Sequence, residues 1–338
     1  MKKIFLIAAT VLCVILLYIT WVMFRSNTQD FGEKKFVFIP TGSNYDALLT
    51  NLKTNQVLKD AASFDQMARR IGLVDDIHPG KYEIRQGMGN FTMAKMLKGG
   101  KQVPVKLVIN KLRTKKDIIR KICTQLEADS NELMSLLNDP SFLKQYDIDS
   151  NQIQCAVIPD TYQFYWNTDA KKAFEKIAKN YTKFWTDERK QKAKKVNMSR
   201  AQIITLASIV EEETNKEEDK LLIASTYINR LKKNMPLQAD PTLKFAVNDF
   251  TLRRLLTVHT QFQSPYNTYL NAGLPPGPIC TPAMSTIDAV LNAPATNYLY
   301  FCAKEDFKGY SNFAATYDEH KQNAKRYQEA LNQRGIIK

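Results

Sequence analysis

Apolar and polar residues are spaced along the chain in patterns that predict a small mixed unit followed by a larger helical one. In the small unit, alternation indicates strands, and apolar residues three or four apart indicate helices. The elements predicted in this unit are a strand at 36–39, helices at 44–54 and 63–71, a strand at 81–84 and a helix at 92–97. The Pro79-Gly80 pair supplies the turn before the second strand, and Gly99-Gly100 ends the last helix.

The larger unit follows an alternating segment at 103–109 and is mainly helical. Its predicted elements are helices at 115–126, 131–137, 171–185, 199–214, 220–232, 286–291 and 317–333, with a buried strand at 298–302. Between these helices lie long loops rich in Pro, Asn, Thr and Tyr, above all at 235–282. Loops of such length inside a compact unit are usually functional. The predicted fold class is α+β.

Residues 4–24 form an uncharged apolar run. As a helix, this run would be about 30 Å long, which matches the hydrocarbon core of a bilayer. Lys2 and Lys3 precede it and Trp21 lies near its far end, so we expect one transmembrane anchor with a cytoplasmic N-terminus. A cleaved signal peptide is the alternative, but its apolar region would be shorter and would end in small residues.

The expected organisation follows from this anchor. We predict a cytoplasmic tip and anchor at 1–25, a linker at 26–35, a small domain at 36–102 and a larger domain at 103–338. Both domains would lie outside the cytoplasm, in the periplasm of a cell with two membranes. The protein would be a single-pass protein of the inner (cytoplasmic) membrane.

The charge balance is strongly basic, with 48 Lys and Arg against 34 Asp and Glu, a net charge of +14. Such a charge suits nucleic acid, anionic lipid or anionic cell-wall polymer. The sequence has neither zinc-finger spacing nor an RNA-binding aromatic motif, and the anchor places the domains outside the cytoplasm, so we exclude nucleic acid. The scattered cysteines and histidines predict no metal site, and the disulfide pairing of Cys123, Cys155, Cys280 and Cys302 stays open.

Three consecutive carboxylates end the predicted helix at 199–214. At 100° per residue, Glu211 and Glu213 lie at opposite borders of its apolar face, and Glu212 points to solvent. The helix dipole disfavours negative charge at this end by about 0.3–1 kcal/mol per group, and partial burial raises a carboxyl pKa further. A carboxyl that stays protonated near neutral pH can act as a general acid. A charged helix end that frays into water is the alternative.

Several ordered segments resemble the endolytic murein transglycosylase family, also called YceG-like. The helix end LASIVEEET at 206–214 is similar to the catalytic segment of that family. Further similar segments lie at 80–84, 158–162, 224–231, 237–242, 264–269, 273–279 and 297–301. The small unit resembles the LysM-like domain of the family. One departure is Gln154-Cys155, where the family commonly has Glu-Gly.

The resemblance implies lytic cleavage of peptidoglycan at the β-1,4 bond between N-acetylmuramic acid and N-acetylglucosamine, leaving 1,6-anhydro ends. It implies that Glu213, the Glu directly before Thr in E-x-E-T, is the catalytic acid and then base, without metal or cofactor. Glu211 is a possible helper. Side chains suited to a sugar-binding cleft are Gln238, Asp240, Thr242, Tyr266, Asn267, Thr268, Tyr269 and Tyr300.

Two other functions stay open. A non-catalytic peptidoglycan-binding or scaffold protein would use the same LysM-like unit and basic charge. A muramidase-type hydrolase would need a second carboxylate, for which Asp240 and Glu211 are candidates. The expected partners are peptidoglycan strands, the membrane through residues 4–24 and, from the setting of the family, the machinery that synthesises nascent glycan. Individual residues also have ordinary explanations, since Asp240 before Pro241 is a common turn pair.

Overall fold

The computed structural model describes residues 2–252 and 256–335. Within them the chain forms two compact units. Unit 1 contains the chain up to residue 107, together with 123–128 and 163–169, and unit 2 contains 108–122, 129–162 and the chain from 170 onward. The domain boundaries predicted from the sequence, 36–102 and 103–338, stay a prediction.

Unit 1 has the predicted order of a strand, two helices, a strand and a helix, preceded by an N-terminal helix. These elements are α1 (Lys2–Phe24), β1 (Lys34–Ile39), α2 (Tyr45–Thr54), α3 (Ala61–Arg70), β2 (Gly80–Arg85) and α4 (Asn90–Lys98). Strands β1 and β2 pair antiparallel. Leu52, Phe64 and Tyr82 are completely buried in the core that these elements enclose. Asp60 caps α3 by accepting hydrogen bonds from two backbone N–H groups.

Residues 26–29, in the linker predicted at 26–35, pair with other segments of unit 1, and the linker stays a prediction. Asn27 and Thr28 are buried. The backbone N–H of Asn27 bonds the Met88 carbonyl at 3.0 Å, and its side-chain amide donates to the Asn90 side-chain oxygen at 2.6 Å. These bonds satisfy the buried amide groups of Asn27.

No helix among the described residues is long and apolar enough to cross a membrane. The anchor predicted at 4–24 includes the side chains of residues 4, 5, 8, 16, 19, 22 and 23, which lie outside what the structure describes.

The rest of the chain is mainly helical. Its helices are α5 (Lys115–Cys123), α6 (Ser130–Leu136), α7 (Pro140–Leu143), α8 (Ala170–Phe184), α9 (Asp187–Lys195), α10 (Arg200–Glu213), α11 (Glu217–Lys232), α12 (Asp240–Ala246), α13 (Thr257–Thr260), α14 (Met284–Leu291) and α15 (Tyr317–Gln333). Its strands are β3 (Val105–Ile109), β4 (Asp160–Phe164), β5 (Tyr300–Ala303) and β6 (Ser311–Ala314), which form the two-stranded sheets β3–β4 and β5–β6. The α+β fold class is therefore confirmed.

Helix α10 is the central element of unit 2. It packs against α9, α11, α12 and α14, and every side chain from 203 to 210 is buried. A helix buried on all its faces lies in the interior of its unit. The packing of this stretch therefore positions the turn that follows it at the C-terminal end of α10. The segment 235–282, predicted as loop, contains the short helices α12 and α13. Pro241 near the start of α12 favours helix initiation there, because its fixed φ suits a first turn.

Candidate active site

The two ends of α10 are well defined. At its start, the Ser199 hydroxyl accepts from the Gln202 backbone N–H, while the Gln202 side chain accepts from the Ser199 N–H, which completes a capping box. At its end, Thr214 is extended, with φ −150° and ψ 149°. The last turn of the helix carries Glu211, Glu212 and Glu213, whose side chains point in directions about 100° apart.

The carboxyl of Glu213 is partly buried and has one short hydrogen bond. The Tyr227 hydroxyl, from the middle of α11, donates to Glu213 Oε1 at 2.7 Å. Tyr227 is only 1% exposed, and its ring meets that of Phe301 edge-on at 5.7 Å. Packing thus fixes the direction from which this hydroxyl approaches the carboxyl.

The environment of Glu213 raises its pKa. Burial is the main cause, and it raises the pKa from the ordinary 4.5 to about 7. The hydrogen bond from Tyr227 acts in the opposite direction, while the negative charge of Asp240 adds to the increase. Smaller opposing contributions come from Lys244, which lowers the pKa, and Glu212, which raises it. Glu213 can therefore hold or release a proton near neutral pH, as a general acid–base group must.

Glu212, predicted to face solvent, is instead an ion-pair residue. Its carboxylate lies 3.0 Å from Lys111 Nζ and 3.0 Å from Arg113 Nη2, and its side chain is 17% exposed. Burial raises its pKa, but the two cations outweigh burial and hold the pKa below its ordinary value. The prediction was wrong because Thr205 and Ser208, on the same side of α10, are buried as well.

Glu211 is tied to two partners. The Thr286 hydroxyl of α14 donates to Glu211 Oε2, and Lys220 Nζ lies 3.5 Å from the same oxygen. Lys220 is buried and also pairs with Glu217 at 2.8 Å. These contacts join α10, α11 and α14 at one point. The role of Glu211 as a helper in catalysis stays a prediction.

Two predicted binding residues lie at the start of α12. Asp240 is exposed, and its Oδ1 accepts a 2.5 Å hydrogen bond from the Tyr269 hydroxyl. Gln238 is also exposed and has a left-handed backbone, with φ 51°. Its N–H donates to the Thr268 carbonyl at 3.0 Å, and its side-chain oxygen accepts from Arg230 at 3.3 Å.

Three other predicted binding residues, Thr242, Asn267 and Thr268, are fully buried. The Thr242 hydroxyl donates to the Ala239 carbonyl at 2.7 Å, and its oxygen lies 2.8 Å from that of Thr268. The amide of Asn267 donates to the carbonyls of two residues that precede it, at 2.8 and 3.0 Å. The Thr242–Thr268 contact joins the segments 238–242 and 264–271, and the Asn267 bonds tie the second segment to residues 260–262. Contact of any of the three with sugar stays a prediction.

The predicted aromatic residues Tyr266 and Tyr300 are partly buried. The ring of Tyr266 lies 4.7 Å from that of Phe245, and burial raises the pKa of its phenol to about 12. The ring of Tyr300 stacks on His320 at 5.3 Å, and the Arg230 guanidinium lies 5.3 Å from its centroid. A sugar that stacks on Tyr300 would have to share the ring with these neighbours.

The segment at 273–279 approaches α10 closely. The Ile279 N–H donates to the Ser208 hydroxyl at 3.0 Å. A Cβ on Gly277 would lie 2.1 Å from the Asn151 carbonyl oxygen, so this position requires glycine. The backbone of this segment therefore contacts other parts of the chain at both of these positions.

The departure at Gln154-Cys155 lies close to the Glu212 ion pair. Gln154 is buried, and its amide donates to the Arg113 carbonyl at 2.9 Å. A carboxylate in its place could not donate this bond. Cys155 is a buried free thiol, and burial raises its pKa.

Sequence reasoning did not identify Tyr227 as a site residue. The segment at 224–231 contains three hydroxyl side chains, those of Ser225, Thr226 and Tyr227, so its sequence does not single out Tyr227. In that same segment Arg230 is buried and donates to the backbone carbonyls of Pro236, Leu237 and Leu299, at 3.1, 2.9 and 2.6 Å respectively. This guanidinium fixes the backbone on which Gln238 lies.

Comparison with known proteins places most of the chain in one group. The YceG-like family matches residues 37–326. The endolytic murein transglycosylase of Bacillus subtilis strain 168 is 30% identical over 314 residues, covering 88% of this chain and 85% of that protein. The protein of the same name from Streptococcus pneumoniae serotype 2 is 27% identical over 330 residues, 87% of this chain and 59% of the relative. A crystal structure of a yceG-like protein from Listeria monocytogenes is 28% identical, with a TM-score of 0.55, and the match covers 86% of this chain and 99% of that one.

Proposed function

The chain belongs to the YceG-like family, and from that premise we propose that it is an endolytic peptidoglycan lytic transglycosylase. The proposed reaction is cleavage of the β-1,4 bond between N-acetylmuramic acid and N-acetylglucosamine in glycan strands. The relatives named endolytic murein transglycosylase support this class of reaction. The observation that carries the mechanism is the partly buried carboxyl of Glu213, whose pKa of about 7 suits proton transfer in both directions.

In the proposed mechanism, protonated Glu213 gives its proton to the glycosidic oxygen as the bond from that oxygen to C1 breaks. Positive charge develops on C1 and the ring oxygen of the muramoyl sugar. The Glu213 carboxylate then removes the proton of the C6 hydroxyl of the same sugar, and that oxygen bonds to C1. The products are a 1,6-anhydro end and a free hydroxyl on the leaving sugar. The nucleophile is internal, so its proximity replaces a second carboxylate.

The engagement of the neighbouring carboxylates supports a lyase over a hydrolase. Glu212 is paired with Lys111 and Arg113, and Glu211 with Thr286 and Lys220. A muramidase would need one of them, or Asp240, as nucleophile or base for water. Asp240 accepts a hydrogen bond from Tyr269. We therefore assign to Asp240, Gln238 and the tyrosines at 266, 269 and 300 the binding of sugar hydroxyls and rings.

We also propose that residues 4–24 anchor the enzyme in the cytoplasmic membrane, with the N-terminus inside and the catalytic domain outside. The support is their apolar composition and the preceding Lys2 and Lys3. The substrate would then be peptidoglycan near the membrane, where nascent strands and the proteins that synthesise them lie. A reporter enzyme that works only outside the cytoplasm should be active when it is fused after residue 338, and one that works only inside should be inactive. Activity only inside would contradict this placement.

Product analysis tests the proposed function. Purified full-length protein is incubated with glycan strands, and the new ends are identified by mass spectrometry. The account predicts that cleavage within the strands creates new 1,6-anhydromuramic ends, and that the variant Glu213→Gln creates none. Reducing ends would indicate a hydrolase, and strand binding without new ends would indicate a binding protein. Either of these results would contradict the proposal.

A further inference from the structure

The hydroxyl of Tyr227 is built into the interior of unit 2 and ends at the Glu213 carboxyl. Its ring is 1% exposed, and its oxygen lies 2.7 Å from Glu213 Oε1. Packing restrains the ring, because it is buried and Phe301 meets it edge-on at 84° and 5.7 Å. A donor held in this way orients the carboxyl through its Oε1 atom.

Burial also fixes the direction of this hydrogen bond. It raises the pKa of the Tyr227 phenol well above its ordinary value, and the adjacent Glu213 carboxylate raises it further. Tyr227 therefore keeps its proton while Glu213 gains or loses one. A donor that is always present stabilises the ionised carboxyl more than the protonated one. The phenol thus acts against the burial of Glu213, which favours the protonated form.

We propose that Tyr227 is a positioning residue of this site, whose buried hydroxyl orients the Glu213 carboxyl and stabilises its ionised form through a direct hydrogen bond. The inference rests on the proposed role of Glu213 as the acid. Without the phenol, burial and neighbouring negative charge would keep the proton on Glu213 to higher pH. Proton donation would then be slower, even though more of the enzyme would hold the proton.

The other charged groups around the Tyr227–Glu213 pair act through their charge. They come from three helices: Glu212 of α10, Arg230 of α11, and Asp240 and Lys244 of α12. Arg230 is occupied by backbone carbonyls, and Glu212 by its two cations. Asp240 and Lys244 have opposite charges, and their effects on Glu213 oppose each other. Tyr227 is distinct from all four because it is neutral and bonds the carboxyl directly.

The test is the variant Tyr227→Phe in the full chain, assayed for strand cleavage as a function of pH. Activity requires protonated Glu213, so it declines at alkaline pH. Loss of a hydrogen bond to a charged group should move this decline upward by about one pH unit. Below the decline, kcat should fall about tenfold, while KM should change less than about twofold, because orientation is lost and binding is kept.

Tyr181→Phe is the matched control. Tyr181 of α8 is equally buried, at 1% exposure, and its hydroxyl has no hydrogen-bond partner among the described residues. Its removal should leave both kcat and the pH profile unchanged. If Tyr227→Phe also keeps the wild-type decline and a kcat within about twofold of wild type, the inference is overturned.

A second measurement separates this inference from the proposed function. The Glu213 carboxyl is titrated by carbon-13 NMR in wild type and in Tyr227→Phe, without substrate. A midpoint that rises by about one unit supports the inference, and an unchanged midpoint overturns it, whatever the activity of Glu213→Gln. If Tyr227→Phe does not fold, 3,5-difluorotyrosine at position 227 keeps the ring and strengthens the donor. The midpoint should then fall, and an unchanged midpoint would again overturn the inference.

Discussion

The two sides of the last turn of α10 hold neighbouring carboxylates in opposite environments. On one side, Glu212 lies 3.0 Å from each of two cations, Lys111 and Arg113, and its pKa is below the ordinary value. On the other side, Glu213 meets the neutral phenol of Tyr227, and burial raises its pKa to about 7. Both side chains have lost most of their contact with water, so burial alone does not separate them.

The difference shows what turns a buried carboxyl into an acid. Cations at hydrogen-bond distance keep Glu212 ionised over the whole neutral range, so it stabilises the fold but cannot donate a proton. A neutral donor leaves Glu213 able to exist in both forms. The same residue type, one position along a helix, therefore forms ion pairs on one side and has a pKa near neutrality on the other.

The largest expected difference between the two sides is in cleavage. Glu213→Gln should lower the rate of strand cleavage about 10³-fold or more, because both proton transfers are lost while shape is kept. The control Glu212→Gln should lower the rate less than about fivefold. Initial rates near pH 6 on the same strands measure both. Equal losses in the two variants would erase the functional distinction between the two sides.

The second difference is in stability at alkaline pH. The pKa of Glu213 rises from 4.5 to about 7 on folding, so the stability it contributes is full below 4.5 and is lost as pH increases through 7. Between pH 5 and pH 8 this loss should be about 2 kcal/mol after allowance for partial exposure. Glu213→Gln should remove the loss and be the more stable protein at pH 8. Urea unfolding at both pH values tests it, and identical pH slopes in wild type and variant would contradict it.

The Glu212 side should show the opposite pH dependence. Its pKa is depressed in the folded protein, so its contribution is present above the ordinary value and is lost as pH falls through the folded pKa. Glu212→Gln should lower the free energy of unfolding by about 1 kcal/mol at pH 7. The gap between variant and wild type should close in strong acid. A gap that persists there would show that packing, and not charge, is what the substitution removes.

The smallest expected effect concerns the charge of Asp240. Asp240→Asn removes a negative charge that raises the pKa of Glu213, and the new amide oxygen can still accept from Tyr269. The alkaline decline in activity should move down by about half a pH unit. Lys244→Met removes a positive charge, so the alkaline decline in the activity of this variant should move to higher pH. Shifts in the same direction for both variants would contradict the electrostatic account.

The sequence predicted the local features of this site and fold well. Helical spacing placed Glu213 at the border of the apolar face of α10, and the Ser199–Gln202 capping box marked where that helix begins. Both features depend on neighbours within a few residues. The strands and helices of unit 1 were predictable for the same reason.

Features that depend on distant partners were not predictable. Glu212 was expected in solvent because its cation Arg113 is 99 residues away in sequence. Tyr227 bonds a carboxyl on another helix, a contact that spacing along α11 does not reveal. The side chains of Asn267 and Thr268, which we expect to bind sugar, also bond the backbone of Thr260 and Ala239, and these contacts are not visible in the sequence. Their contact with sugar stays a prediction.

The most direct test of the contrast within α10 is a site-resolved titration of both carboxyls in the resting full-length protein. Carbon-13 NMR of labelled glutamate, assigned with Glu212→Gln and Glu213→Gln, follows each group separately. The account predicts a midpoint near 7 for Glu213 and a midpoint below 4.5 for Glu212. Midpoints for both groups at the ordinary value of 4.5 would contradict it.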